Sequence, residues 1–311
     1  MTLVKRNKSH RFIGLNRTRG EFIFSIFNTL FLILLSIIFI VPVWHVIMSS
    51  FSDPDIVQGT SNIALLPKGQ ATLGGYRLIF KNPNIWRSYL NTLIYVPSFT
   101  AVGLLLCILA AYVLSRKELG GRKIITFLFT FTMIFNGGLV PTFIVINRMG
   151  LTDTPWAMII PGAFSVYYMI IMRTSFSSIP ESLIESAKID GAGHLRILVQ
   201  IVLPVSKAVV ASIFMFLVIK CWNAWFNASI YLQKRRDLYP LQLYLREIIL
   251  QTSDTLDSTL VSEASDISDM DKFRPITKYC TITFSLLPML ILYPFIQRYF
   301  VKGVMIGSVK G

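Results

Sequence analysis

Long apolar runs constrain this chain more than any other feature of its sequence. About 20 apolar residues in a helix cross the ~30 Å hydrocarbon core of a bilayer. Six runs reach that length, over residues 22–44, 89–114, 124–146, 155–176, 208–232 and 279–300. We therefore expect an all-α, polytopic membrane protein with six transmembrane helices.

The composition of the 311 residues agrees with a membrane protein. Hydrophobic residues make up 53% of the chain and charged residues only 15%, with a mean hydropathy of +0.60, which lies outside the usual range of a soluble domain. The formal net charge of +14 is explained by basic residues that flank the apolar runs on the cytoplasmic side. We therefore expect a lipid bilayer and no nucleic acid as a partner.

The distribution of basic residues predicts that both termini are cytoplasmic. Segments assigned to the inside contain 17 Lys and Arg residues, whereas the short outside segments contain 5, and this bias sets orientation. The predicted organisation is a cytoplasmic tail at 1–21, a six-helix transmembrane domain at 22–300 and a cytoplasmic tail at 301–311. Residues 233–277 are expected to form a long extracellular loop.

A polar interval, residues 177–204, separates the fourth and fifth runs. Ser178 and Glu181 have the spacing of a capping box and predict a helix start. Gly191 or Gly193 is expected to end this helix, because glycine readily adopts the left-handed conformation of a C-terminal cap. A second helical period then continues to Pro204, so we expect two short helices joined by a glycine turn.

The same interval resembles the EAA loop of binding-protein-dependent ABC importer permeases. The matching positions are Glu185, Ser186, Ala187, Asp190, Gly191, Ile201, Leu203 and Pro204. Ser186 stands where the family usually has alanine, and both residues are small. The tail at 297–311 is similar to that of maltose-transporter-type permeases, and the segments 237–248 and 293–303 resemble a branch linked with complex or acidic plant-type saccharides.

The resemblance implies a role for these eight residues. The first helix would be a coupling helix in a cleft of an ATP-hydrolysing subunit, where Glu185 pairs with a basic residue, Ala187 allows close approach and Gly191 forms the turn. The chain contains no glycine-rich phosphate loop, so the ATPase is expected to be a separate chain and this subunit no enzyme. The alternative is an ordinary amphipathic helix on the membrane surface.

Polar residues inside the fifth run are candidates for a substrate pathway. Lys220 lies deep in this run, where a charge is costly unless it faces a cavity or a partner. Asn223 and Asn227 share its predicted helical face, with Trp222 beside it; amides and aromatic rings suit sugars, and a lysine suits a uronate. Alternatively, Lys220 pairs with a partner permease or extends to the membrane surface.

A second pathway candidate lies in the third run, which contains Asn136, Gly137, Gly138 and Pro141. These residues predict a kink or an unwound turn near mid-membrane. Such irregular backbone must face protein or water. The alternative role for Asn136 is to stabilise that turn.

The apolar runs together with this resemblance imply a permease subunit of an ATP-driven ABC importer for a carbohydrate, with oligosaccharides favoured, in the bacterial plasma membrane. The partners that the resemblance implies are a second permease in a heterodimer, ABC ATPase subunits and an extracellular solute-binding protein. No cofactor or metal is expected. The alternative, an ion-coupled secondary transporter, requires acidic or histidine residues within the spans. The six runs contain none, and only Glu21 and His45 flank the ends of the first.

Overall fold

The computed structural model describes residues 19–59, 62–253, 273, 275–291 and 293–294, and the regular structure in these ranges is helical throughout. The α-helices are α1 Arg19–Ser50, α2 Pro54–Gly59, α3 Gly74–Lys81, α4 Pro83–Ser115, α5 Arg122–Ile134, α6 Leu139–Arg148, α7 Trp156–Ile159, α8 Val166–Ser177, α9 Glu181–Ile189, α10 His194–Ile197, α11 Leu203–Val205, α12 Lys207–Trp222, α13 Trp225–Tyr231, α14 Leu241–Ser253 and α15 Pro275–Ile291. A π-helical turn, Leu198–Val202, joins α10 to α11, and a 3-10 turn covers Arg236–Leu238. The predicted all-helical fold is confirmed.

Helices α1 and α4 are the two that are long and apolar enough to cross a membrane unbroken, among the residues described. They have 32 and 33 residues, which at 1.5 Å per residue is roughly 50 Å. The large apolar side chains of α1 are exposed along most of its length, and only Ser49 and Ser50 at its end are buried. Such a surface suits contact with lipid or with another apolar helix.

The third apolar run is broken where the sequence predicts a break. Helices α5 and α6 meet at an angle of 111°, and the residues between them include Gly138, whose φ of +87° lies in the left-handed region. The Asn136 side-chain oxygen accepts a hydrogen bond of 2.9 Å from the Gly138 N–H. This contact fits the alternative role stated above for Asn136, which is to stabilise the turn.

The fourth and fifth runs are also broken, although uninterrupted helices were expected there. Residues 160–165 separate α7 from α8, since Pro161 disfavours a continued helix and Gly162 takes a φ of +72°. The fifth run is interrupted between α12 and α13 at Asn223, whose side-chain amide donates to the Ile219 carbonyl. Side-chain bonds of this kind compete with helical backbone bonds.

The number of membrane crossings remains a prediction. The described residues contain two unbroken candidate spans, or four if α5 with α6 and residues 194–205 with α12 each count as one bent span. Helix α15 is a shorter apolar helix that overlaps the predicted sixth span from residue 279 to residue 291. The N-terminal tail up to residue 18, the acidic stretch 254–272 and the C-terminal residues 295–311 lie outside the described residues.

Helix α4 lies at the centre of the packed core, in contact with α7, α8, α12 and α14. Its partners contribute fully buried side chains such as Met172 and Phe176 of α8 and Leu217 of α12. Gly103 permits a close approach of the chain at Ala163, because a Cβ at this position would lie 2.5 Å from the Ala163 carbonyl oxygen. The break between α7 and α8 is therefore held directly against α4.

The first part of the predicted outer loop is structured and attached to α4. The Asn91 amide donates to the carbonyl oxygens of Asp237 and Tyr239 at 2.8 and 3.2 Å. The Tyr95 hydroxyl donates to the Leu238 carbonyl at 2.9 Å. Helix α14 follows directly, so the 233–277 segment is not simply a loop.

Candidate functional site

The first helix of the polar interval, α9, begins differently from the prediction. It starts at Glu181 with Pro180 as its N-terminal cap and no side-chain capping bond. The Ser178 hydroxyl donates instead to the Ser175 carbonyl at 2.8 Å, at the end of α8. The predicted capping box is therefore wrong, because Pro180 fixes the chain direction and Ser178 completes the preceding helix.

The predicted glycine turn at the end of α9 is present. The Gly191 N–H donates to the Lys188 carbonyl at 3.0 Å, and the Ala192 N–H donates to the Ala187 carbonyl at 2.9 Å. This pair of bonds is a Schellman motif. Gly191 adopts a φ of +76°, which requires a residue that tolerates the left-handed conformation.

The second half of the interval is one bent helical path. Helix α10, the π-helical turn and α11 continue from His194 to Val205, and this path meets α12 at 86°. Pro204 explains the π-helical turn, since proline cannot donate a backbone bond and clashes with the carbonyl four residues earlier. Ile201 and Leu203 are half-buried here, whereas Pro204 is exposed.

The predicted coupling residues on α9 mostly face away from the core. Glu185, Ser186, Asp190 and Gly191 are exposed, whereas Ala187 is half-buried against the main core. The same surface exposes large apolar side chains, with 86% of Ile189 and 73% of Leu195 accessible. Ile189 was not among the residues predicted from sequence, although it lies off the helix face that carries the buried Ile184.

Two ion pairs join α9 to the turn between α4 and α5. Lys117 pairs with Glu181 at the start of α9, and Glu118 pairs with Lys188 near its end. The Lys188 ammonium lowers the pKa of the Glu118 carboxyl by a hydrogen bond and by its charge. The polar interval is therefore attached to α4 as well as to its neighbours in sequence.

A cavity of about 200 Å³ lies near the interruption of the fifth run. It is lined by Phe99, Met158, Pro161, Lys220, Cys221, Asn223, Ala224, Phe226 and Asn227. The Lys220 ammonium donates to the Gly162 carbonyl at 2.7 Å and lies 5.7 Å from the centre of the Phe99 ring. The cavity thus combines one cation, two amides and two aromatic rings.

The structure brings together three of the five predicted pathway residues. Lys220, Asn223 and Asn227 all line the cavity, although the break at Asn223 replaces the continuous helical face that was expected. Trp222 is buried in the main core. Asn136 belongs to the break between α5 and α6 and is not among the lining residues.

The aromatic rings at the cavity are not the ones expected from sequence. Trp222, the ring expected beside Lys220, is not among the lining residues, and the ring of nearby Trp225 is covered by the Arg246 guanidinium at 4.0 Å. Phe99 and Phe226 take the expected aromatic position instead. Phe226 precedes Asn227 and could have been proposed, whereas Phe99 arrives from α4 through a contact that no local pattern indicates.

Comparison with known proteins identifies the family of this chain. The model of the binding-protein-dependent transport system inner membrane component matches residues 82–306. The chain belongs to this family. The match covers the polar interval and the cavity, and it confirms the resemblance seen at residues 185–204.

Individual relatives align over nearly the whole length of this family member. The polygalacturonan/rhamnogalacturonan transport system permease protein YtcP of Bacillus subtilis (strain 168) is 39% identical over 285 residues, or 90% of this chain and 96% of that protein. Protein LplC of the same strain is 33% identical over 304 residues, or 96% and 98%. A chain in the crystal structure of a bacterial ABC transporter involved in the import of the acidic polysaccharide alginate superposes with a TM-score of 0.80 and 27% identity, covering 91% of this chain and 99% of that one.

These relationships establish an ABC importer permease of the bacterial inner membrane with multiple membrane segments. The ion-coupled alternative is therefore excluded. The chain is a transport subunit and acts together with other components of a binding-protein-dependent system.

Proposed function

We propose that this permease conducts an acidic oligosaccharide through a pathway that includes the Lys220 cavity. The observation that carries the proposal is the position of the Lys220 ammonium in the same cavity as Asn223 and Asn227. Lys220 donates to the Gly162 carbonyl and is still exposed. An ammonium group has three donors, so one bond to Gly162 leaves others for a carboxylate.

The remaining lining groups suit the neutral parts of a sugar. The amides of Asn223 and Asn227 can donate to and accept from hydroxyl groups. The rings of Phe99 and Phe226 offer apolar faces to the C–H surface of a pyranose. Ligand sites are commonly lined in this way, by mostly apolar side chains with a few placed polar groups. The volume of about 200 Å³ favours passage of an oligosaccharide unit by unit.

The names of the relatives support an acidic substrate. YtcP is named for polygalacturonan and rhamnogalacturonan transport, and the structurally similar transporter imports the acidic polysaccharide alginate. Both substrates are polymers that contain uronate residues. A cation in the pathway is the feature of this chain that matches that chemistry.

The coupling role of residues 177–204 is part of the same proposal. Glu185, Ser186, Asp190 and Gly191 are exposed together with the apolar Ile189 and Leu195. Exposed apolar side chains in a polar segment favour a protein partner over water. We assign this surface to a separate ATPase subunit, with both termini of the permease on the same cytoplasmic side.

The remaining partners are a second permease and a solute-binding protein outside the membrane. The break between α5 and α6 leaves residues 131–140 exposed. Lipid cannot satisfy the free backbone groups of such a break. A non-identical permease beside α5 and α6, or the water-filled pathway between the two subunits, supplies the polar surroundings that this break needs.

Transport by the complete importer in proteoliposomes tests the proposed substrate. With the native binding protein outside and ATP inside, we expect ATP-dependent, vanadate-sensitive uptake of trigalacturonate. Maltotriose, which is neutral and similar in length, serves as the control and should be taken up at least about tenfold more slowly, the ratio expected from about 1.4 kcal/mol of discrimination. Faster uptake of maltotriose would contradict the acidic substrate, and vanadate-insensitive uptake would contradict the coupling role.

A further inference from the structure

The turn between α4 and α5, residues 116–121, contacts both ends of the coupling helix α9. Its adjacent residues Lys117 and Glu118 have opposite charges and pair with Glu181 and Lys188, respectively. Glu181 and Lys188 are seven positions apart, which is about two helical turns. The order of charges in the turn therefore matches one direction of α9, and the reversed direction would bring like charges together.

Further contacts attach the cytoplasmic end of α4 to the elements on either side of α9. The Arg116 guanidinium donates to the Phe176 carbonyl at 3.2 Å, and Arg173 donates to the Leu114 carbonyl at 3.1 Å, both linking α4 with α8. The Tyr112 hydroxyl lies 3.2 Å from Nδ1 of His194 at the start of α10. The end of α4 and the turn that follows it thus contact α8, α9 and α10.

The two ion pairs are too exposed to act mainly through stability. The side chains of Lys117 and Glu118 are 73% and 63% accessible, and exposed pairs contribute little to folding. The two pairs instead fix the direction of α9 relative to the turn, because their charges are reversed between the two ends of the helix. Their arrangement also places an acid in the first turn of α9 and a base in its last turn, as the helix dipole favours.

Helix α4 connects this turn with the cavity. It runs without an internal proline from Ser115 to Phe99, a distance of roughly 24 Å at 1.5 Å per residue. Phe99 lines the cavity, and Gly103 touches the 160–165 break that also supplies Pro161 and Gly162. A displacement of the cytoplasmic end of α4 therefore reaches the side chains around Lys220.

We propose that Lys117 and Glu118 are positioning residues that transfer the movement of α9 directly to α4. This proposal rests on the coupling role assigned above to residues 177–204. The covalent links of α9 lead to α8 and α10, so the ion pairs provide a path from the ATPase to α4 and Phe99 that does not pass through those two helices. Movement of the coupling helix then reaches the cavity wall at Phe99 of α4 and at the 160–165 break that Gly103 contacts.

Charge reversal tests the proposal in proteoliposomes that contain the complete importer. The measured quantity is substrate transported per ATP hydrolysed, a ratio that a purely structural defect in assembly does not change. We expect Glu118→Lys and Lys188→Glu each to lower this ratio about fivefold, the lower range of typical coupling effects, and the double variant to restore it. Lys123→Glu, an exposed change of equal charge on α5, should leave the ratio unchanged.

Several outcomes overturn the proposal. Single reversals that transport as much substrate per ATP as the wild type contradict it, and so does a double variant that is no better than either single one. If a reversal reduces assembly, Glu118→Gln replaces it and should also lower the ratio. Normal coupling in these variants together with uncoupling by Gly191→Val rejects the ion-pair path alone, whereas normal coupling in all of them rejects the coupling role of 177–204.

Discussion

Replacing Gly191 with valine is expected to leave the permease inserted in the membrane and to lower substrate uptake at least about tenfold. Gly191 has a φ of +76°, and no atom lies within 4 Å of a Cβ built there, so the cost arises from the backbone and not from a clash. A β-branched residue in this conformation costs on the order of 1–3 kcal/mol. The Schellman turn that positions Asp190 and Ala192 opens, so ATP hydrolysis continues with much less transport.

Two substitutions serve as controls for Gly191→Val. Gly191→Asn should keep most of the uptake, because asparagine tolerates the left-handed region better than other non-glycine residues. The second control is Gly193→Ser. Gly193 lies two residues from Gly191, and a Cβ built there also has open space around it. Its φ is −72° and it caps α10, where serine is a favoured residue. Equal uptake by Gly191→Val and the wild type would show that the turn is not required.

Replacing Lys220 with methionine is expected to reduce uptake of an acidic oligosaccharide about tenfold or more and to change uptake of a neutral one little. A hydrogen bond to a charged group contributes about 1.5–3 kcal/mol, and methionine keeps the length of the side chain without its charge. The Gly162 carbonyl loses its 2.7 Å partner, but it is exposed and can bind water. Initial uptake rates of trigalacturonate and maltotriose provide the measurement.

Lys207→Met is the matched control for Lys220→Met. Lys207 is an exposed cation at the other end of the same helix, α12, and its loss removes the same charge far from the cavity. The binding protein is identical in all assays, so a change in selectivity arises in the membrane. A Lys220→Met permease with wild-type rates for both sugars would remove Lys220 from the pathway.

Apolar length predicts that a segment enters the membrane, but not that it is a single helix. The first two spans follow directly from their composition, and the break at Asn136–Gly138 was visible because two glycines and an asparagine adjoin. The breaks at Gly162 and Asn223 were missed, since one glycine or one asparagine is compatible with a membrane helix. Their conformations depend on contacts with α4, such as the close approach of Ala163 to Gly103.

At the candidate sites too, local structure was easier to predict from sequence than contacts between distant segments. The turn at Gly191 is a local structure, set by backbone conformation and hydrogen bonds within six residues, and it was predicted correctly. The capping of α9 was not, because Pro180 overrides the Ser178 and Glu181 pattern. Phe99 and the ion pairs of Lys117 and Glu118 join segments more than 60 residues apart, and no periodicity in the sequence contains that information.

Site-directed cross-linking at Ser186 tests most directly whether residues 177–204 transmit the action of an ATPase. Ser186 is exposed on α9, and the native cysteines at 107, 221 and 280 are buried and unpaired, so Ser186→Cys introduces the accessible thiol among the described residues. We expect a short bifunctional reagent to join this cysteine to the ATPase subunit, and a membrane-impermeant reagent to label it only from the cytoplasmic side. Labelling from the outside, or a complete importer in which Ser186→Cys cross-links to no other chain, would contradict this role.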